Sequence, residues 1–222
     1  MLRPSFEKSQ VADLSQFEHH VSALLQNMPT NDETVDLQEL FHMFTMDTSA
    51  ELLFGESTGS LRAHKGGEAV RFAEAFEHGM ADAVSRSRLS WAYYLIPHPK
   101  AQKAIRFCRR FVDDYVERAM KAKTEPPGKK DDKSKFVFLE ELAKHEEVDA
   151  PRIRNEVLNM LLAGRDTTAA LLSNLWFALA RHPQIWRRLQ AEVDELNGDI
   201  PTYERLRDMK YIKCCVQESK ST

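Results

Sequence analysis

Three absences limit what this chain can be. The 222 residues contain no apolar run of the roughly 18 to 20 residues that a membrane-spanning helix needs, and Met1–Phe6 lacks the apolar run of a signal peptide. The three cysteines are an odd number without a pairing pattern, which is typical of a reducing compartment. A net charge of −3 argues against a nucleic-acid partner that binds through charge.

Strand patterns and metal motifs are also scarce. The period-2 alternation of a half-buried strand is almost missing, and no internal repeat is present, so we expect a mainly α-helical protein without a substantial sheet. The eight histidines lack H-E-x-x-H or any other paired spacing. Each is therefore expected at the surface or at a helix end, and no metal site is predicted.

Helical spacing of apolar residues fills most of the chain. It predicts four helices in the first 120 residues: one from Glu7 to Met28, one from Asp36 to Gly55 with a capping box of Asp36 and Glu39, one through Ala69–Met80 and one through Ala101–Ala119. A loop is predicted over Gly59–Gly67. Residues 123–135 lack core-forming side chains and are predicted to be a solvated linker.

The strongest single feature is the stretch from Leu161 to Leu172. It lies between Asp149, a predicted N-cap, and Pro183, so that residues 151 to 181 are predicted to form one long helix. Apolar residues occur on nearly every side of this helix, and we therefore expect it to be buried in the centre of the protein. Gly164, Asp166 and Thr167 interrupt this apolar pattern at a cost in stability.

Two interpretations of this interruption are open from the residues alone. Gly164 would let a flat ligand approach the backbone, while Thr167 could bond back to the carbonyl of residue 163 or leave it free. Asp166 next to the Thr167 hydroxyl is then the minimum for passing protons inward. Alternatively the helix breaks, and Asp166 or Thr167 caps a second helix that ends at Arg181.

Ala163–Thr168 resembles the A-G-x-D/E-T-T signature of the cytochrome P450 family, the haem-thiolate monooxygenases. The resemblance continues along the chain, through Leu2–Phe6, Asp47–Gly55, Arg181-His182-Pro183, Leu206–Ile212 and Gln217-Glu218-Ser219. The six-residue sequence Ala-Gly-Arg-Asp-Thr-Thr is similar to that of fungal hydroxylases of alkanes and fatty acids. The fold implied is the helical part of the cytochrome P450 fold.

The resemblance also implies roles for individual residues. Asp166 and Thr167 would deliver the protons needed to split bound dioxygen, and Ala163 and Gly164 would face the haem. Glu218 would be the glutamate of the structural E-x-x-R pair. Arg165 is expected to serve orientation or a salt bridge rather than chemistry.

Several parts of the family pattern are missing from the sequence. No F-x-x-G-x-R-x-C-x-G loop is present, and Cys108, Cys214 and Cys215 lack its flanking glycines. Ser221 stands where the arginine partner of Glu218 is expected, and the propionate-binding tryptophan and arginine would precede Met1. We therefore expect residues 1–222 to be an internal part of a cytochrome P450 domain, without its N-terminal sheet region and its haem-cysteine region. The iron ligand is expected only in the full-length parent.

The partners implied are an apolar substrate such as an alkane or fatty acid, and a flavoprotein reductase. The parent is expected on the cytosolic face of the endoplasmic reticulum membrane, whereas this chain has no anchor. Trp91–Pro97 either roofs the substrate pocket and contacts the membrane peripherally or fills a small satellite core. The alternative function is a non-catalytic, truncated helical protein that binds a lipid or a protein partner.

Overall fold

The computed structural model describes residues 14–31, 33–62, 67–95, 97–124, 138–143 and 149–220. Within these ranges the regular structure is helical and contains no strand, which confirms the predicted fold class. The resemblance at Leu2–Phe6, the start of the first predicted helix, most of the predicted linker and Ser221 lie outside the described residues. None of the described helices is both long enough and apolar enough to cross a bilayer.

Nine α-helices and one 3₁₀ segment lie in the described part of the chain. They are α1 (Ser15–Gln26), α2 (Leu37–Phe54), α3 (Glu68–Leu89), the 3₁₀ segment (Ser90–Leu95), α4 (Pro99–Thr124), α5 (Phe138–Ala143), α6 (Ala150–Arg181), α7 (Pro183–Asp194), α8 (Tyr203–Asp208) and α9 (Lys210–Glu218).

The chain divides into two compact units. The first comprises Met1–Thr48 and Ala163–Thr222, and the second comprises Ser49–Leu162. In the second unit α3 packs along α4, and α5 packs against α4. In the first unit α9 packs against α7. The boundaries of the units fall within the helices α2 and α6.

Local capping signals explain where α2 begins and ends. The Oδ1 atom of Asp36 accepts hydrogen bonds from the backbone N–H of Gln38 at 2.9 Å and of Glu39 at 3.2 Å, as an N-cap does. Gly55 follows the last residue of α2 with φ of 79°, a conformation that glycine adopts without strain. The predicted start and end of this helix are confirmed.

The helix α6 runs unbroken from Ala150 to Arg181. Asp149 Oδ1 accepts a hydrogen bond from the Arg152 backbone N–H at 3.0 Å, and Pro183 begins the next helix. The predicted single helix is confirmed, and the alternative of a break at Asp166 or Thr167 is wrong. There the Thr167 hydroxyl bonds to the Ala163 carbonyl of the preceding turn and does not cap a new helix.

The expectation that α6 is buried on nearly every side is wrong. Its buried residues follow mainly a four-residue spacing: Ile153, Val157, Leu161, Arg165 and Ala169, with Leu179 near the end. Phe177, in contrast, is 65% exposed. The apolar pattern indicates which positions of α6 could be buried, but burial also requires neighbouring elements. The elements in the described part of the chain do not surround this helix.

Two further differences concern the region around the predicted linker. The helix α4 extends to Thr124, so Lys123 and Thr124 are helical rather than part of a solvated loop. The short helix α5 was not predicted. Four of its six residues are buried: Phe138, Leu139, Leu142 and Ala143. Its apolar residues are spaced for a helix but span less than two turns, too few for a periodic signal.

Candidate functional site

The site predicted on α6 contains a side-chain bond within the helix. The Thr167 Oγ1 hydroxyl donates a hydrogen bond to the Ala163 backbone carbonyl at 2.6 Å. This is one of the two arrangements expected for Thr167, and it directs the hydroxyl proton at the carbonyl oxygen. The lone pairs of Oγ1 stay available as acceptors.

The surface around this bond is open and built from small side chains. Ala163, Thr167 and Ala170 are exposed and follow one another at helical spacing, while Gly164 is partly exposed. None of them carries a bulky group that would keep a flat ligand away from the helix. The geometry therefore fits the approach expected at Ala163 and Gly164.

Asp166 lies close to two basic side chains. Its Oδ1 atom accepts a hydrogen bond from Arg165 Nη1 at 2.8 Å, and the same oxygen is 3.9 Å from Nδ1 of His42 on α2. Arg165 is only 5% exposed, so its contact with Asp166 pairs a buried guanidinium with a half-buried carboxylate. The salt bridge expected of Arg165 is confirmed. His42 was not predicted, because its contact joins residues that are distant in sequence.

A cavity of about 460 Å³ lies in the second unit. Apolar side chains of three helices line it, namely Phe76 and Met80 of α3, Ile105 of α4, and Leu158 and Leu162 of α6. Arg109, Asn155 and Asn159 add polar groups. A mainly apolar wall with a few polar groups is typical of sites for small organic ligands.

The described cysteines do not fit a thiolate ligand for haem iron. Burial raises the pKa of the Cys108 thiol to about 11. Burial, followed by the neighbouring Cys214 and Glu192, also raises the pKa of Cys215. A thiolate ligand requires the opposite, a lowered pKa and backbone N–H donors to the sulfur. Cys214 is exposed on α9, where the backbone N–H groups already serve the helix.

Glu218 and Glu192 lie on the paired helices α9 and α7. Glu218 is the last residue of α9 and is exposed. Glu192 accepts hydrogen bonds from the backbone N–H groups of Tyr211 at 2.9 Å and Ile212 at 2.8 Å, at the start of α9. This contact between α7 and α9 was not predicted. A carboxylate near the N-terminus of a helix is stabilising, so a glutamate is a suitable residue for such a contact.

The 3₁₀ segment presents its large side chains to solvent. Trp91 is 74% exposed, Tyr94 77% and Leu95 72%, so the expected satellite core is not formed by these side chains. Tyr93 instead donates a hydrogen bond to Asp82 Oδ2 at 2.7 Å, and its ring stacks on His98 at 4.1 Å. The hydrogen bond to Asp82 raises the pKa of Tyr93. One aromatic residue therefore fixes the segment, while its neighbours stay exposed.

Comparison with known proteins gives a consistent result. The family model described as cytochrome P450 matches residues 12–219. Cytochrome P450 monooxygenase fsdH from Fusarium heterosporum is 41% identical over 232 residues, covering 99% of this chain and 40% of that protein. Cytochrome P450 52A1 from Candida tropicalis is 34% identical over 236 residues, covering 99% and 43%. The chain thus spans less than half the length of these fungal relatives.

A solved structure shares the fold. The crystal structure of the cytochrome P450DA heme domain has a TM-score of 0.79 to this chain at 20% sequence identity. The likeness covers 98% of this chain and 47% of that one. The helices described above therefore correspond to part of a known helical arrangement.

Proposed function

Because this chain belongs to the cytochrome P450 family, we propose that its protein is a haem-dependent monooxygenase that inserts one oxygen atom into an apolar substrate. The observation that carries the proposal is the turn Ala163–Thr167 of α6. It combines an open surface of small residues, a hydroxyl bonded to the helix backbone and an acid bonded to a buried arginine.

Ala163 and Gly164 are the residues of this chain that would lie against the haem. The family uses haem as its cofactor, and when bound it supplies the redox chemistry that activates dioxygen. The small, exposed side chains at these positions fit such a flat group. The described cysteines do not fit its iron ligand, so this chain would contribute the surface at Ala163 and Gly164 and the groups that handle protons.

Asp166 and Thr167 are proposed to hold and move the protons that the reaction consumes. A carboxyl group can take up and release a proton, and a hydroxyl can accept one hydrogen bond while it donates another. The bond from Thr167 Oγ1 to the Ala163 carbonyl fixes the position of that hydroxyl. Glu218 is proposed to belong to the structural pair that supports the haem-binding core.

The variant Thr167→Ala, made in the haem-containing enzyme, tests the role of the hydroxyl. We expect electron consumption to continue while product falls several-fold and hydrogen peroxide rises, since general acid–base groups contribute about 10²-fold or more. The measurement is the ratio of product and peroxide formed to electrons consumed.

Two variants serve as controls for Thr167→Ala. Thr167→Ser retains a hydroxyl and is expected to keep most of the coupling, whereas Thr168→Ala removes an exposed hydroxyl of the neighbouring residue and should leave coupling unchanged. Wild-type coupling in Thr167→Ala would show that this hydroxyl only bonds back to the helix.

We propose an alkane or a fatty acid as the substrate, with a flavoprotein reductase as the electron donor. The apolar lining of the cavity in the second unit supports a hydrocarbon ligand, and Arg109 with two asparagines could bind a polar end group. The similarity of Ala163–Thr168 to the fungal hydroxylases supports the same substrate class.

We further propose that the 3₁₀ segment contacts the cytosolic surface of the endoplasmic reticulum membrane. Trp91, Tyr94 and Leu95 are exposed, and Arg86 and Arg88 are exposed shortly before them. Aromatic rings favour the membrane–water interface, and arginines are attracted to anionic lipids. This composition supports a peripheral contact.

Quenching of tryptophan fluorescence tests the membrane contact. The emission of Trp91 is the difference between the spectra of wild type and Trp91→Phe. With vesicles of brominated anionic lipid, we expect this emission to be strongly quenched. The emission of Trp176, a half-exposed ring on α6, is obtained in the same way from Trp176→Phe and should be quenched far less. Equal quenching of the two signals would contradict the contact.

A further inference from the structure

The imidazole of His42 has one enclosed edge and one open edge. Its Nδ1 atom is buried and has no hydrogen-bond partner among the described residues, while the side chain as a whole is 26% exposed. The exposed part of the side chain must therefore lie away from Nδ1. A histidine with one nitrogen inside and another edge in water has the form of a proton shuttle.

The charged group that faces the enclosed nitrogen is Asp166. The separation of 3.9 Å between Nδ1 and Oδ1 is longer than the about 2.7–3.2 Å of a hydrogen bond, so these two atoms must move closer before a proton passes between them. Contacts of this kind are often long before the substrate binds and become shorter in the working complex.

The same carboxylate oxygen is also bonded to Arg165. Arg165 Nη1 is 2.8 Å from the same Oδ1 atom, and Arg165 is almost completely buried. Guanidinium groups are poor proton donors, so Arg165 can orient Asp166 but is not the source of its proton. His42 is the neighbour in this cluster that can supply one.

We propose that His42 is a positioning residue for Asp166 and the point at which protons enter from solvent. The proposal rests on the proposed function of Asp166 in proton delivery. In the step, the Nδ1–H bond of the imidazolium breaks and an O–H bond forms on the Asp166 carboxylate. The neutral imidazole keeps its Nε2–H and can be recharged only at Nδ1: the ring turns this nitrogen to solvent, Nδ1 takes a proton from a hydronium ion, which becomes water, and the ring turns back, so that proton and charge balance over the cycle.

The test compares His42→Gln with wild type in the haem-containing enzyme. Glutamine preserves a hydrogen-bonding side chain but cannot carry the proton. We expect coupled product formation to fall about three- to tenfold, less than the about 10²-fold or more of a general acid itself. We also expect the solvent isotope effect on product formation to increase, which a merely structural role would not cause. His182→Gln, at an exposed histidine, should resemble wild type in both measurements.

A second measurement does not depend on turnover. With histidine labelled at Cε1, the NMR signal of His42 is assigned by its disappearance in His42→Gln. We expect this signal to shift in Asp166→Asn, while the signal of His182 stays in place. An unchanged His42 signal would overturn the proposal even if His42→Gln folds poorly, because this measurement leaves His42 itself intact.

The outcomes separate this inference from the proposed function. If Asp166→Asn lowers product formation but His42→Gln retains the wild-type rate and isotope effect, the route through His42 is wrong and the role of Asp166 stands. If Asp166→Asn behaves as wild type, the proposed role of Asp166 fails, and the inference fails with it.

Discussion

Among single residues, Arg165 determines which replacement of Asp166 is informative. A guanidinium that is 5% exposed is costly to bury unless it is paired, and Asp166 is one of its partners. Removing the charge of Asp166 therefore affects the pairing of a buried cation as well as any proton transfer. Asparagine is the informative replacement for Asp166, because it retains an oxygen acceptor for Arg165 in nearly the same shape.

Glu192 gives a residue-level prediction for stability. Partial burial alone would raise the pKa of its carboxyl, but the backbone N–H groups of Tyr211, Ile212 and Lys210 outweigh it and lower the pKa below its usual 4.5. A carboxyl with a lowered pKa stabilises the fold above its unfolded pKa, and this contribution is lost as pH falls through the folded pKa. We expect Glu192→Gln to lower the free energy of unfolding by about 1 kcal/mol at neutral pH.

The pH dependence distinguishes this effect from simple loss of packing. The difference between Glu192→Gln and wild type should shrink as pH falls from about 5 to 3, measured by urea unfolding across that range. Glu195→Gln is the control, since Glu195 pairs with Arg205 at 3.3 Å on the exposed surface and should change stability by about 0.5 kcal/mol or less. A deficit that is independent of pH would exclude the charge of Glu192 as its cause.

At the scale of helices, Gly79 in the interior of α3 permits a stabilising change. A Cβ atom added there would have the Ile105 Cγ1 atom as its nearest neighbour at 3.5 Å, an ordinary van der Waals contact. Gly79→Ala is expected to stabilise the protein by about 0.5–1 kcal/mol, because alanine favours the helix. Gly79 also lines the cavity of the second unit, so the same variant should bind large apolar ligands more weakly.

A second glycine supplies the matched control for Gly79→Ala. Nothing lies within 4 Å of a Cβ atom at Gly59, but its φ of +68° is unfavourable for alanine. Gly59→Ala should therefore destabilise the protein by about 1 kcal/mol and leave ligand binding unchanged. Thermal unfolding and ligand titration measure both effects. Unchanged ligand affinity in Gly79→Ala would argue against the cavity as the substrate site.

The helices could be predicted from sequence where their signals are local. Asp36, Gly55, Asp149 and Pro183 determine helix ends through atoms within a few residues, and these ends were found. The bond between Thr167 and Ala163 is also local and was one of two expected arrangements. The burial of α6 on one side only and the contact between His42 and Asp166 depend on how distant segments pack, which periodicity does not encode.

For the whole molecule, the chemistry of the cysteines limits what these 222 residues can do with haem. Cys108 and Cys215 have raised pKa values because they are buried, and they will remain neutral thiols at neutral pH. Cys214 is exposed on a helix and lacks the loop whose N–H groups would bond to a coordinating sulfur. Each described cysteine therefore has a physical reason not to serve as the axial ligand.

We expect the 222-residue chain, expressed as printed and supplied with haem, not to form a haem-thiolate centre. A ligand at about 100 times its dissociation constant adds about 2.7 kcal/mol to stability, so a chain that does not bind its cofactor also lacks that contribution. The measurement is the absorption spectrum of the reduced, carbon-monoxide-bound sample, with Cys108→Ser, Cys214→Ser and Cys215→Ser as matched variants. A thiolate-type band at stoichiometric haem that disappears in one of these variants would identify that cysteine as the ligand and contradict the prediction.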